Sequence, residues 1–197
     1  GIQQLERRAL DAESDPNELK DRIVTLSSTL QGQIDLLSRI AGEFSTLARL
    51  PQGELLPLSL NRLLEEVVLL HGVEGVCPTL RSDGEIQVEG DADQLKRLFS
   101  NLIINAQQAI GDGPGEVWLV LDASAECIVV KDSGPGMSKE VADRVFEPRF
   151  TTRGGGSGLG LAMVKAIAER HSWRVDFESI PGVGTEFRLQ VKGPFER

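Results

Sequence analysis

The hydrophobic period of this chain changes once, across the Pro- and Gly-rich break Pro51 to Pro57, and that change divides it into two kinds of structure. Before the break, Ile23, Leu26, Leu30, Ile34, Leu37, Ile40, Phe44 and Leu47 recur every three or four positions, the spacing of one long amphipathic helix over Glu18 to about Leu50. Ile2 and Leu5 predict a shorter first arm over Gly1 to about Leu10, with Ser14, Asp15 and Pro16 in the turn Asp11 to Asn17. Arms so unequal leave half of the long helix uncovered, so its apolar stripe is expected to be exposed or buried against a second copy.

After the break the pattern is mixed. Ser59 reads as the N-cap of a short helix through Leu70, followed by extended segments at Val76 to Arg81 and Glu85 to Glu89. A strong helix is expected over Ala92 to Ile110, then strands at Val117 to Asp122 and Glu126 to Val130, and helices near Lys139 to Phe146 and Gly158 to His171. A closing hairpin joins Arg174 to Glu178 with Glu186 to Val191 through Pro181-Gly182-Val183-Gly184. Strands in consecutive hairpins with helices set apart predict an α+β domain, a mixed sheet covered by helices on one face. The expected division is a helical hairpin over 1–52, a linker over 53–57 and the α+β domain over 58–197.

Charge and cysteine usage exclude several function classes. With Lys+Arg 21 against Asp+Glu 30 the net charge is −9, which disfavours nucleic acid or an anionic membrane surface as the main partner. Cys77 and Cys127 lie far apart, with neither a CxxC nor Cys/His ligand spacing, so no zinc site or disulfide framework is legible and a reducing cytoplasm fits. No apolar run approaches the roughly 18 residues needed to span a bilayer, and the opening residues show no signal-peptide pattern.

Chemistry concentrates in three glycine clusters: Asp132-Ser-Gly-Pro-Gly136, Gly154-Gly-Gly-Ser-Gly-Leu-Gly160 and Gly182-Val-Gly-Thr185. A glycine-rich loop entering a helix N-terminus favours an anion, through free N–H donors and the helix dipole. Each cluster alone reads equally well as a flexible turn, and neither GxxxxGK[ST] nor GxGxxG occurs. On the helix Ala92 to Ile110, Asn101 and Asn105 are four apart and share a face. They are either capping or solvent-facing amides or, since an amide carbonyl is a hard oxygen ligand, groups for Mg²⁺ and phosphate.

Taken together, these segments resemble the sensor histidine kinases. Asn101-Leu-Ile-Ile-Asn105-Ala is similar to the N box, Asp132-Ser-Gly134-Pro-Gly136-Met to the first glycine box, Phe146-Glu-Pro-Arg-Phe150-Thr-Thr to the F box and Gly156-Ser-Gly158-Leu-Gly160-Leu to the second glycine box, in the family's order. The resemblance covers about Leu58 to Val191 and implies the Bergerat, or GHKL, α/β sandwich. It implies that Asn105 ligates Mg²⁺ on the phosphates of ATP with Asn101 assisting, and that Asp132 accepts the adenine amino group, with Gly134 and Gly136 letting backbone approach the base. Gly156, Ser157, Gly158 and Gly160 would wrap the phosphates as a lid, and Phe146, Phe150, Thr151, Thr152, Leu159 and Thr185 complete the nucleotide-binding set.

Some positions depart from the pattern. Gln108 stands where many members carry a basic residue, and Arg149 where an aromatic is frequent. Arg153 is either the replacement charge for the γ-phosphate or a solvated lid arginine. The form Asn-Ala-Gln-Gln-Ala-Ile is similar to the nitrogen-regulation branch. ATPases sharing this fold place a Glu at the position of Asn101 to activate water; an amide accepts no proton at neutral pH, which favours transfer to a histidine that brings its own lone pair.

The first 52 residues resemble the dimerisation and phosphoacceptor hairpin of the same kinases, with Phe44-Ser-Thr-Leu-Ala-Arg-Leu-Pro51 similar to the end of its second helix. No His-Glu-[Ile/Leu]-x-Asn-Pro-Leu box occurs, and His71 and His171 lie outside acceptor context. The chain is therefore expected to begin just after the acceptor, to form a homodimer through the hairpin and to hand phosphate to a response-regulator receiver domain, with the parent either cytoplasmic or anchored in the inner membrane. The rivals are a GHKL protein-serine kinase of the anti-sigma-factor type and an inactive scaffold with a dead pocket.

Overall fold

The computed structural model describes residues 20, 21, 23–34, 53–72, 76–153 and 156–191. The expected first arm, the turn Asp11 to Asn17 and the long helix beyond residue 34 lie outside the described residues. The chain divides into two compact units, Gly1–Phe44 and Ser45–Arg197.

In the first unit residues 20–34, residue 22 aside, are helical, and Ile23, Leu26, Leu30 and Ile34 of the expected stripe are all exposed. The Thr25, Ser28 and Thr29 hydroxyls donate to carbonyls three or four residues earlier. Those polar groups are thus satisfied within the helix itself.

The second unit runs β1 (Leu56–Ser59), α1 (Leu60–His71), β2 (Pro78–Ser82), β3 (Gln87–Gly90), α2 (Ala92–Ile110), β4 (Val117–Asp122), β5 (Cys127–Asp132), α3 (Lys139–Ala142), α4 (Gly160–Arg170), β6 (Arg174–Ile180) and β7 (Gly184–Gln190). β1 and β3 form a small antiparallel ribbon, and the main sheet has the order β2-β4-β5-β7-β6. The β2–β4 pair is parallel and the others antiparallel, so the sheet is mixed, as expected. Two expectations need correction. Leu56 and Pro57, read as the end of a break, pair with Gly90 and Glu89 in β1; a proline is tolerated there because the ribbon is short and marginal. The helix expected over Lys139 to Phe146 closes after Ala142 and continues as turns.

Alternation along the strands decides which face the helices cover. Val117, Leu119 and Leu121 of β4, Ile128 and Val130 of β5, and Phe187 and Leu189 of β7 are buried in one core with Leu60, Leu64 and Val67 of α1, Leu95, Leu98, Phe99, Leu102 and Ile103 of α2, and Met163, Val164 and Ile167 of α4. Truncating one of these, such as Leu102, removes about 2–5 kcal/mol of stability. On the opposite face the β6–β7 part is charged: Glu186 on β7 faces Glu178 across the strand pair, and Arg188 ion-pairs with both carboxylates. That cation offsets a like-charge pair which would otherwise weaken the sheet.

Caps fix where α1 and α2 begin. Ser59 accepts the Arg62 N–H, and Asp91 Oδ1 accepts the N–H groups of Asp93 and Gln94 at 3.1 Å each. α2 ends at Gly111, whose φ of +68° is the left-handed region glycine enters without cost. These two caps hold nineteen residues of helix in one register, and with them the face that carries Asn101 and Asn105.

Candidate functional site

Leu98, Leu102 and Ala106 turn one side of α2 into the core, which leaves Asn101, Asn105 and Gln108 on the side facing the start of α4. Gly160 opens α4, and a Cβ placed on it would lie 3.5 Å from Asn101 Oδ1 and 3.7 Å from Asn105 Nδ2. Both amide nitrogens are buried with no hydrogen-bond partner in the protein. Burying such donors unpaired costs about 1–3 kcal/mol each, an expense that a ligand accepting from them recovers. Leu159, the N-cap residue of α4, offers no side-chain acceptor to the first turn of that helix. Two orphan amides beside a helix start thus form a pocket suited to an oxyanion, and an amide turned about its last torsion presents oxygen to a hard cation instead.

A second cluster lies at the end of β5. Asp132 is only 5% exposed, and its Oδ1 accepts the Gly134 N–H at 2.8 Å. Thr185 of β7 is its register partner and also donates a backbone N–H to it. Burial pushes the Asp132 carboxyl up; the Gly134 and Thr185 N–H groups and the Arg153 charge act against that rise. Asp132 thus ends a strand and holds the turn that follows.

The glycines of this turn are required by close approach. A side chain on Gly134 would meet the Ala109 methyl at 3.1 Å, and one on Gly136, at φ +66°, would overlap the Ile180 carbonyl. Gly182 N–H donates to Pro135 O at 2.7 Å and Met137 N–H to Ser179 Oγ at 2.8 Å, so the turn is clamped between α2 and the β6–β7 hairpin. Ala109, Ser179 and Ile180 escaped the sequence reading because they contribute a methyl, a hydroxyl and a carbonyl without a motif.

Residues 90–194 match the family described as histidine kinase-, DNA gyrase B-, and HSP90-like ATPase. The chain belongs to that family. Among similar proteins of this ATPase family, the signal transduction histidine-protein kinase AtoS of Escherichia coli is 31% identical over 170 residues, 82% of this chain and 28% of AtoS. The sensor protein kinase PilS of Pseudomonas aeruginosa is 30% identical over 197 residues, 92% of this chain and 36% of PilS. The chain therefore spans about a third of the length of the curated relatives it matches. The nucleotide-free catalytic domain of the histidine kinase ThkA superposes with a TM-score of 0.63 at 27% identity, covering 72% of this chain and 97% of that domain. The fold is that of a histidine kinase catalytic domain within the ATPase family.

A few contacts shape the described residues around the F-box-like and second glycine-box-like segments. Arg149 N–H donates to Gly158 O at 2.9 Å, and a Cβ on Gly158, at φ +65°, would fall 2.5 Å from the Arg149 carbonyl carbon. Thr151 Oγ1 accepts the Arg153 N–H at 3.1 Å and lies 2.8 Å from where a Gly156 side chain would begin. Ser157 Oγ accepts the Leu159 N–H, and Thr152 is exposed. Phe146 stacks edge-on with Phe177 and Phe187 at 5.7 and 6.3 Å, Phe150 lies under Arg144, and the Leu159 side chain is buried. The structure thus brings Asn101, Asn105, Gly160 and Arg153 into one cluster and Asp132, Gly134, Gly136 and Thr185 into another. It seats Phe146, Phe150 and Leu159 in packing contacts.

His171 is buried, its Nδ1 on Ile167 O at 2.8 Å, and His71 closes α1 with a buried, unpartnered Nε2. Among the described residues no cluster of three or more His, Cys, Asp or Glu could hold a metal ion, and no helix is long and apolar enough to cross a membrane.

Proposed function

We propose that this chain is the ATP-binding catalytic part of a sensor histidine kinase, passing the γ-phosphoryl group of Mg-ATP to a histidine of a dimerisation hairpin for relay to a response-regulator aspartate. In this reading residues 1–52 belong to that hairpin and serve a homodimer, and residues 58–197 are the catalytic domain. The observation that carries the proposal is the pair of orphan amides, Asn101 and Asn105, on α2 beside the start of α4, together with the buried carboxyl of Asp132 at the end of β5.

Asp132 accepts the adenine amino group, an interaction that a base lacking an N–H donor at that place cannot make. Asn101 and Asn105 orient the phosphate oxygens, with Asn105 offering its amide oxygen to Mg²⁺. Bound Mg²⁺ neutralises phosphate charge and screens the developing negative charge of the leaving group. With an amide rather than a carboxylate at 101, water gains no base. A neutral imidazole needs none: its lone pair forms the N–P bond as the bond from the γ-phosphorus to the ADP oxygen breaks, and the remaining ring proton is lost to solvent.

The test combines calorimetry with labelling. ATP should bind with magnesium dependence, and γ-labelled ATP plus an acceptor hairpin bearing a histidine should give an acid-labile, base-stable label on the hairpin. Acid-stable label on serine would favour the serine-kinase reading, and no nucleotide binding would establish the inactive scaffold.

A further inference from the structure

Gln108 and Arg153 are 45 positions apart in sequence and meet in the folded chain. Arg153 Nη1 donates to Gln108 Oε1 at 2.7 Å, and its Nη2 donates to the carbonyl oxygen of Asn105 at 3.3 Å. Asn101, Asn105 and Gln108 are spaced four and three apart, so Gln108 continues the amide face of α2 by one turn. Resting on the function proposed above, we propose that Gln108 is a positioning residue: it seats the Arg153 guanidinium over the phosphate pocket, so that the cation for the γ-phosphate comes from the lid rather than from α2.

Three features of the contact lead there. The Gln108 side chain accepts from Arg153 without adding charge, so the guanidinium reaches the pocket with its positive charge unspent. A Glu at this place would neutralise it and a Lys would repel it. A guanidinium presents five donors in a planar fork, and the two contacts with α2 leave others for phosphate oxygens. Finally, Arg153 sits in the segment that Thr151 Oγ1 and the Arg149–Gly158 hydrogen bond shape, so seating the charge also seats the lid. The Arg153 charge is also felt by the Asp132 carboxyl of the second cluster. Since the γ-phosphate is what distinguishes ATP from ADP, the pair should govern discrimination between them more than affinity for adenine.

The 197-residue chain with Gln108→Ala, Arg153→Ala, both together, and Gln108→Lys with Arg153→Ala is titrated calorimetrically with Mg-ATP and Mg-ADP, and each thermal midpoint is recorded. Each single substitution should weaken ATP binding about tenfold while ADP affinity stays within about twofold. The double alanine variant should be no weaker than Arg153→Ala alone, because the two residues act as one unit. Gln108→Lys should restore part of the ATP preference lost with Arg153→Ala, since it returns a cation to α2. An unchanged ATP-to-ADP ratio in Gln108→Ala, additive losses in the double variant, or tighter ATP binding once the contact is cut would overturn the proposal. Those outcomes leave nucleotide binding itself intact, whereas failure of the unaltered chain to bind either nucleotide would sink the function on which the proposal rests.

Discussion

His171 Nε2 accepts the backbone N–H of Asp91 at 3.0 Å, so the end of α4 is tied to the N-cap of α2. Its Nδ1 lies 2.8 Å from Ile167 O, which fixes the neutral tautomer with the proton on Nδ1. Because α2 carries Asn101 and Asn105 and α4 opens beside them at Gly160, this imidazole holds the two supports of the proposed phosphate site in register.

Burial lowers the His171 pKa from its usual 6.5, with the Ile167 carbonyl opposing the fall. The unfolded chain therefore takes up a proton at a higher pH than the folded one. The stability this group contributes is present above pH 6.5 and declines as pH falls below it towards the folded pKa. Thermal midpoints measured from pH 7.5 to 5 should drop more in the unaltered chain than in His171→Phe. Burial also lowers the pKa of His71, which both proteins retain, so the difference isolates His171. Equal slopes would show that His171 takes up its proton as readily in the folded chain as in the unfolded one, and that accepting the Asp91 N–H does not hold it neutral. At pH 7.5 His171→Phe should itself cost about 1–3 kcal/mol, since it strands the Asp91 N–H.

Asn105→Ala should separate binding from stability. The Asn105 Nδ2 is buried without a partner, so its removal takes away an unsatisfied donor and the thermal midpoint should hold or rise in the absence of nucleotide. ATP affinity and its magnesium dependence should both fall, by at least about tenfold for a lost ligand and orienting group. A midpoint that drops by several degrees with binding unchanged would make Asn105 a structural amide.

Asp132→Asn and Asp132→Ala should differ in stability and agree in function. Asparagine keeps an oxygen for the Gly134 N–H and removes a carboxylate that burial disfavours at neutral pH, so its midpoint should match or exceed that of the unaltered chain. Alanine strands the Gly134 and Thr185 N–H groups and should lose about 1–3 kcal/mol. Both should lose preference for ATP over GTP, because the amide NH2 of asparagine opposes the adenine amino group and alanine accepts nothing. Retention of that preference in Asp132→Asn would place adenine recognition elsewhere.

Much of this molecule was legible in its sequence, and what was not has a common physical cause. The Ala92–Ile110 helix and the Val117–Asp122 strand are found with the bounds their periodicity predicts, since each carries an unbroken buried face. β1 escaped because four residues containing Pro57 show no period and acquire their pairing only from β3. Asn101, Asn105 and Asp132 stand out because their chemistry is unusual for their positions. Ala109 and Ser179 do not, because they act through close approach of ordinary groups. Gln108 was conspicuous as a departure and Arg153 as a candidate replacement charge, yet their partnership depends on a fold that brings Arg153 onto α2.

The two histidines of the chain yield the last expectation: incubated alone with γ-labelled ATP, it should bind nucleotide and acquire no acid-labile, base-stable label. In-line transfer needs an imidazole nitrogen whose lone pair can reach the γ-phosphorus, with reacting atoms about 3–3.5 Å apart. His171 has neither nitrogen free, one being held at Ile167 O and the other accepting from Asp91. The Nε2 of His71 is buried, and its helix end is stapled from the far side by Gln107, whose Nε2 donates to the His71 and Val76 carbonyls. Freeing the His171 nitrogens would require parting the end of α4 from the N-cap of α2, and His71 is held at the end of α1 by the Gln107 contacts. Phosphoramidate recovered on the chain, mapped by peptide mass to His71 or His171, would show that one of these helix ends opens during turnover, and the assignment of both as packing residues would fail.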